Sequence, residues 1–461
     1  MKLMGVDDLL RFVAAARPRT TRSIAGSLQA TRPQRADPDV QGTRRPLRTS
    51  DRSRQVETDS ERAPRARGRP RPRRGTRIAP RRVAWLWIVL LASGAGAGCG
   101  GSHAQPPTTT RTNIHRTTTN VNRAPAPPAR RDVYAADRPG NLSPVVRGMP
   151  AYVYVPNSQS DTVDVIDQRT FRVIGQFPVG ALPQHVTPSY DLKTLWVDND
   201  MGNSLTPINP WTARPGRPVP VVDPYNLYFT VDGRYAIVVA ERLRRLDFRD
   251  PHSMRLRHSL AVLGCAGVDH MDFNADGRFA LASCEFGARL IVVDIPHQRV
   301  ARTIDLRPGA MPQDVKLAPD GSTFYIADMN ANGVWLVSAE TFRVLGFIHT
   351  GTGAHGLYAS RDSRYLYVSN RGEGSVSVVS FATQRQVKKW RLPGGGSPDM
   401  GGVSADGRVL WLSGRYNSEV YAISTITGKL IRRIPVGSGP HGLCVYPQPG
   451  RFSLGHTGVF R

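Results

Sequence analysis

The sequence predicts an all-β fold: a seven-bladed β-propeller with four-stranded antiparallel blades. Three observations predict it. A phrase of the form "Pro, polar pair, apolar alternation, Asp-Gly" occurs seven times, as LPQHVTPSYD (182–191), DPYNLYFTVDG (223–233), GVDHMDFNADG (267–277), MPQDVKLAPDG (311–321), GAHGLYASRDS (353–363), SPDMGGVSADG (397–407) and GPHGLCVYPQPG (439–450). Each copy is followed by further short apolar runs with period two, separated by Gly, Asn and Ser turns, which is the pattern of short antiparallel strands. The polar positions His185, Asn226, His270, Asp314, His355, Asp399 and His441 follow one another at 41, 44, 44, 41, 44 and 42 residues, the repeat length of a four-stranded blade. No sustained three-to-four spacing supports helices.

The elements follow in order. The repeats begin in mid-unit, with Tyr152 to Asn157 as a second strand, Thr162 to Asp167 as a third and Phe171 to Val179 as a fourth. The last first strand, His441 to Tyr446, lacks partners downstream. The ring therefore closes when this C-terminal strand completes the N-terminal blade, which hides two sheet edges. The segment Pro449 to Gly455 is either a competing second strand or a cap. The stretch from Asn203 to Phe248 is irregular, with a Pro-rich part (Pro207 to Pro220) and the basic run Arg242 to Arg245.

Three motifs carry a family resemblance: Tyr154-Val155-Pro156-Asn157, the Val163-x-Val165-Ile166-Asp167 run, and Pro440-His441-Gly442-Leu443. They resemble the YVTN-repeat, YncE-like seven-bladed propellers over about Ala151 to Pro449. The resemblance implies a ligand- or partner-binding scaffold in the cell envelope, without one agreed activity.

Ahead of the propeller the composition changes twice. Residues 1–82 hold 22 Lys+Arg against 8 Asp+Glu, more than half of the chain's net +26. Residues 1–80 therefore read as a disordered basic segment, or as sequence upstream of the true start. A basic arm is also the mark of nucleic-acid binding, but the segment directly after it argues otherwise. Residues 81–98 combine Arg81-Arg82, the apolar run Val83 to Ala92 and small residues up to Gly98, which is the composition of a signal peptide. Cys99 behind Ala97-Gly98 resembles the lipidated cysteine of bacterial lipoproteins; plain secretion and an uncleaved anchor are the alternatives. Residues 99–150 read as a Pro/Thr-rich tether. The expected protein is thus an extracytoplasmic, membrane-anchored or secreted monomer, with an envelope partner and no nucleic acid. Cys265 and Cys284 fall near one face of adjacent strands and form a candidate disulfide, with two buried thiols as the alternative. Cys444, between Leu443 and Val445, reads as a core residue.

First strands line the central channel of a propeller, so the polar residues of the seven phrases are the candidate metal or ligand positions: His355, Asp399, His441, His185, His270 and Asp314. Imidazoles and carboxylates are ligands for copper or zinc, and the set is similar to the histidine crown of nitrous oxide reductases. Counted back from the turn Asp, His355, Asp399 and His441 form one arc, while His185, Asn226, His270 and Asp314 lie one residue further along their strands. Adjacent strand positions face opposite sides, so two arcs rather than one ring are expected. The competing structural role is hydrogen bonding between blades.

Other chemistry is absent from the sequence: no Gly-rich phosphate loop, H-E-x-x-H or C-x-x-C appears, and no G-x-S-x-G sits at a strand-to-helix elbow. A lactonase-like site would draw on Glu285, Arg371 or Glu373. The sequence thus favours a binding scaffold, with a copper-type oxidoreductase as the alternative and a lactonase-like hydrolase as the second alternative.

Overall fold

In a computed structural model that describes residues 132–456 and 458–461, the described residues form seven antiparallel sheets arranged around one channel. The basic segment, the signal-like run, Cys99 and the first part of the tether lie outside the described residues. Blade 1 is the closing blade. Its inner strand, Cys444–Tyr446, pairs antiparallel with Tyr152–Asn157, so that Tyr154 faces Cys444, and Thr162–Asp167 and Arg172–Pro178 follow outward. The inner strands of blades 2 to 7 are Pro183–Pro188, Asn226–Phe229, Val268–Phe273, Pro312–Leu317, Ala354–Ala359 and Pro398–Val403. Each is followed by three strands running outward in chain order, as the repeat predicts.

Burial explains the composition of each strand. Inner strands are buried along their whole length, because they face neighbouring blades and the channel, whereas outer strands such as Arg385–Arg391 are largely exposed and charged. An outer strand has an open edge, and charge protects it from pairing with another chain. The irregular second blade has its fourth strand broken into Arg214–Pro215 and Val219–Pro220, both pairing with Ser204–Asn209. The prolines there lack the N–H that a continuous ladder needs.

The C-terminal tail and residues 132–150 plug one end of the channel. Pro449 to Gly455 is a cap rather than a strand of blade 1: Phe229 N donates to Leu454 O at 2.8 Å, His456 N to Leu227 O at 2.8 Å, and Ser453 Oγ to Pro188 O at 3.1 Å. Arg461 closes the tail against Asp272 at 3.0 Å and Phe273 O at 2.7 Å. Residues 132–150, expected to belong to the tether, fold onto the same end. There the Tyr134 hydroxyl donates to Leu317 O, and buried Arg361 bridges Asp137 and Gln448. Most of these contacts fall at the far ends of the inner strands, while His456 reaches further in, to Asn226 and Leu227 at the start of the blade 3 strand.

Candidate metal centre

In five of the seven blades the residues that open the inner strand sit in a bulge. The ladder shifts register between Pro183 and Val186, Val268 and Met271, Pro312 and Val315, Ala354 and Leu357, and Pro398 and Gly401. Inside a bulge the two-face alternation of a regular strand is lost, so neighbouring residues reach toward the same space. His355 illustrates this: its Nδ1 lies 3.0 Å from Asp399 Oδ1 and 3.1 Å from Sδ of the next residue, Met400. The two arcs expected from strict alternation therefore interlock into one cluster.

Five imidazoles and one carboxylate form that cluster, all at most 3% exposed: His185, His270, His355, Asp399, His441 and His456. The ring centroids of His185 lie 4.8 Å from His441, 5.6 Å from His270 and 5.3 Å from His456, and His270 lies 4.6 Å from His456. Ligand atoms fall into two groups, His355–Asp399–His441 and His185–His270–His456, within each of which they lie no more than 4.8 Å apart. Metal–nitrogen bonds of about 2.0–2.1 Å need donors about 3–4 Å apart, so an inward shift of about 1 Å would close either group on an ion. Room for the rings comes from glycine. A Cβ on Gly442, which follows His441, would lie 2.0 Å from His185 Cδ2.

Hydrogen bonds fix which nitrogens are available. His185 Nδ1 is 2.9 Å from the Tyr225 carbonyl, which can only accept, so Nδ1 carries the proton and Nε2 the lone pair. His441 Nδ1 pairs with Gln184 Oε1 at 2.9 Å, leaving its Nε2 3.6 Å from Asp399 Oδ2. His270 Nδ1 accepts from Asn226 Nδ2 at 2.9 Å, and its Nε2 lies 3.2 Å from Asp269 Oδ1 outside hydrogen-bonding geometry. The His270 proton is therefore on Nε2, turned toward Asp269, and the acceptors buried without a protein hydrogen-bond partner in the cluster are His185 Nε2 and Asp399 Oδ2.

Burial sets the charge states. It holds the His185 imidazole down at about 4, and pushes His270, His441 and His456 well below their ordinary value. Burial opposes ionisation of Asp399 too, but the neighbouring His355 and Arg371 outweigh it and hold the carboxyl well below the usual range. Neutral imidazoles beside an ionised carboxylate are the forms that ligate metals. At the mouth, the residues just after the second strands are acidic on blades 2 to 4 (Asp200, Glu241, Glu285) and basic on blades 6 and 7 (Arg371, Arg415). Burial, helped by the Glu285 charge, pushes Glu241 up to about 8.

The remaining sequence candidates take other roles. Asp314 is not a ligand in either group: its oxygens accept from Val315 N at 2.9 Å and Leu357 N at 2.8 Å, which stitches blade 5 to blade 6. Asn226 is likewise committed, accepting from Leu227 N. Glu373 is spent on Ser375, Lys389 and the Thr352 backbone. A lactonase-like trio with Glu285 and Arg371 is therefore not assembled from it. Cys265 and Cys284 are joined as a disulfide, and Cys444 is buried as a free thiol. His456 escapes sequence reasoning because it lies outside the repeats. Its one signal is the preceding Gly455, at positive φ, where a Cβ would lie 2.4 Å from Leu227 O, so that the tail can run close against blade 3.

The fold and the channel cluster together define the class: a seven-bladed propeller with an imidazole–carboxylate centre inside its ring. The model of the YncE-like β-propellers matches residues 141–450, and the chain belongs to that family. Comparison with curated proteins gives no match. Among solved structures, similar folds include hydrazine synthase of Kuenenia stuttgartiensis (17% identity, 61% of this chain and 98% of that one, TM-score 0.51). Others are the dihydro-heme d1 dehydrogenase NirN (16%, 66% and 76%, TM-score 0.50) and a provisionally assigned 6-phosphogluconolactonase of Bacteroides uniformis (17%, 64% and 99%, TM-score 0.53). At this identity the likeness shows the fold alone.

Proposed function

We propose that this propeller is a metal-binding protein whose channel holds a copper or zinc ion on His355, Asp399 and His441. The observation that carries the reading is Asp399 Oδ2, buried without a protein hydrogen-bond partner and facing the His441 Nε2 lone pair at 3.6 Å. Leaving one such atom unpaired costs about 1–3 kcal/mol, and a cation is the partner that lone pairs of this kind lack. His441 Nε2 and Asp399 Oδ2 make the point most directly, since two acceptors 3.6 Å apart need a positive species between them. The His355–Asp399 contact and the Arg371–Asp399 pair at 3.2 Å orient the carboxylate. This favours the metal-dependent reading over a plain scaffold, because interblade stitching already uses other residues, such as Asp272 and Asp314.

The reading extends to location. An extracytoplasmic protein anchored through lipid on Cys99 is supported by the signal-like run before it and by the Cys265–Cys284 disulfide, which suits an oxidising compartment.

The test is elemental analysis of the chain purified without chelators, with the Asp399→Ala variant beside it. At least one copper or zinc per wild-type chain, reduced in the variant, is the expected result. Wild-type protein that stays metal-free after incubation with micromolar zinc and with micromolar copper would end this reading.

A further inference from the structure

We infer that the channel holds a second ion, bound by His185, His270 and His456 beside the first, so that the centre is a metal pair. Three observations lead there. The second group is a complete ligand set in itself: three fully buried imidazoles with ligand atoms within 4.8 Å of one another, sharing no residue with the first group. The lone pair of His185 Nε2 has no hydrogen-bond partner in the protein, and those of His270 Nδ1 and His456 Nδ1 both face the one Asn226 amide, 2.9 and 3.4 Å away, whose place an ion would take. Each ring also has, on the nitrogen turned away from such an ion, the outer contact that metal-bound histidines show: the Tyr225 carbonyl on His185 Nδ1 at 2.9 Å, Asp269 on His270 Nε2 at 3.2 Å, and Asp314 on His456 Nε2 at 3.6 Å.

The two groups are neighbours. His185 packs on His441 with ring centroids 4.8 Å apart, and His270 faces His355 at 6.4 Å. Three imidazoles without a carboxylate suit zinc or copper, in preference to magnesium or calcium, which take oxygen ligands. The first group, with its carboxylate, is the harder site of the two. The second is also unusual in origin, because one ligand comes from the C-terminal tail and the other two from blades 2 and 4. Tail docking and occupancy of the second site are therefore coupled.

This inference rests on the channel being a metal centre at all, and zinc titration separates the two claims. Full-length chain stripped with chelator and reloaded with zinc chloride should retain two equivalents after gel filtration. His456→Gln, which keeps side-chain size and the apolar tail residues, should retain one; His441→Ala combined with Asp399→Ala should also retain one. Reloading with Cu(II) should give spin-coupled ions in the wild type and an isolated Cu(II) signal in His456→Gln. One equivalent in the wild type, whether or not His456→Gln loses it, overturns the pair while the metal reading stands. No retained zinc or copper overturns both. Circular dichroism of each variant distinguishes a lost site from a lost fold.

Discussion

His185 shows how much one side chain is asked to do. Its Nδ1 is held by a carbonyl, its ring lies over the glycine after His441, and burial keeps it neutral. An imidazole depressed from 6.5 to about 4 binds fewer protons folded than unfolded, so it weakens the fold as pH falls from 6.5 toward 4. The full effect is about 3 kcal/mol for this one group. Carboxyls pushed up to about 6, such as Asp137 and Asp314, act in the opposite direction over the lower part of that range. A substitution comparison isolates the histidine. In metal-free protein, His185→Gln should flatten the rise of unfolding free energy with pH by about 1.4 kcal/mol per unit between 4.5 and 6, as read by urea denaturation; an unchanged slope would show that His185 titrates normally. The neighbouring glycine gives a second prediction. Gly442→Ala drives its Cβ into His185, and should lower stability by about 1–3 kcal/mol through overpacking and weaken zinc binding at least tenfold by calorimetry. Wild-type values for both would mean that the ring has room to move.

At the scale of single elements, the bulged inner strand is the device that makes the site. A regular strand would send His355 and Gly356, or Asp399 and Met400, to opposite faces; the register shift lets successive residues serve one channel. The element most exposed to redox conditions is the pair of strands in blade 4. There Cys265, just before Val268–Phe273, is bonded to Cys284 at the end of Phe279–Cys284, across 19 residues. A bridge closing a loop of this length contributes about 3 kcal/mol. Replacing both cysteines by serine should lower unfolding free energy by about that amount and remove the sensitivity of the wild type to dithiothreitol. A double variant as stable as the wild type would show that the bridge is dispensable.

For the whole molecule, the ring is closed twice: once by the pairing of Cys444–Tyr446 with Tyr152–Asn157 in blade 1, and once by the plug of residues 132–150 and the C-terminal tail. Removing residues 452–461 strips out Leu454, Val459 and Phe460, each at most 1% exposed. Each such apolar side chain contributes about 1.5–3 kcal/mol. The truncated chain should therefore unfold at markedly lower denaturant and, lacking His456, retain one zinc rather than two. Truncated protein that kept wild-type stability would show that the tail is only draped across the channel.

The repeat determined the fold. Seven phrases at near-constant spacing, each with period-two alternation and an Asp-Gly turn, can bury their apolar faces only by stacking as blades around a ring. Blade number, strand order and the closure through Cys444–Tyr446 were therefore legible, because they depend on local pattern and chain connectivity. The candidates His355, Asp399, His441, His185 and His270 were legible for the same reason, being the polar residues at the opening of the first strands, which line the channel. What only the tertiary structure decided was their convergence. Strand alternation argues for two separate arcs, and the register shifts at the strand openings defeat it. Asp314 looks like Asp399 in sequence, yet it is claimed by the backbone N–H groups of Val315 and Leu357, while Asp399 has His355 and Arg371 for neighbours. His456 belongs to no repeat. Its place in the centre comes from the path of a tail that must cover the exposed ends of the inner strands, and that path is fixed by contacts more than 180 residues apart in the chain, such as Arg461 with Asp272.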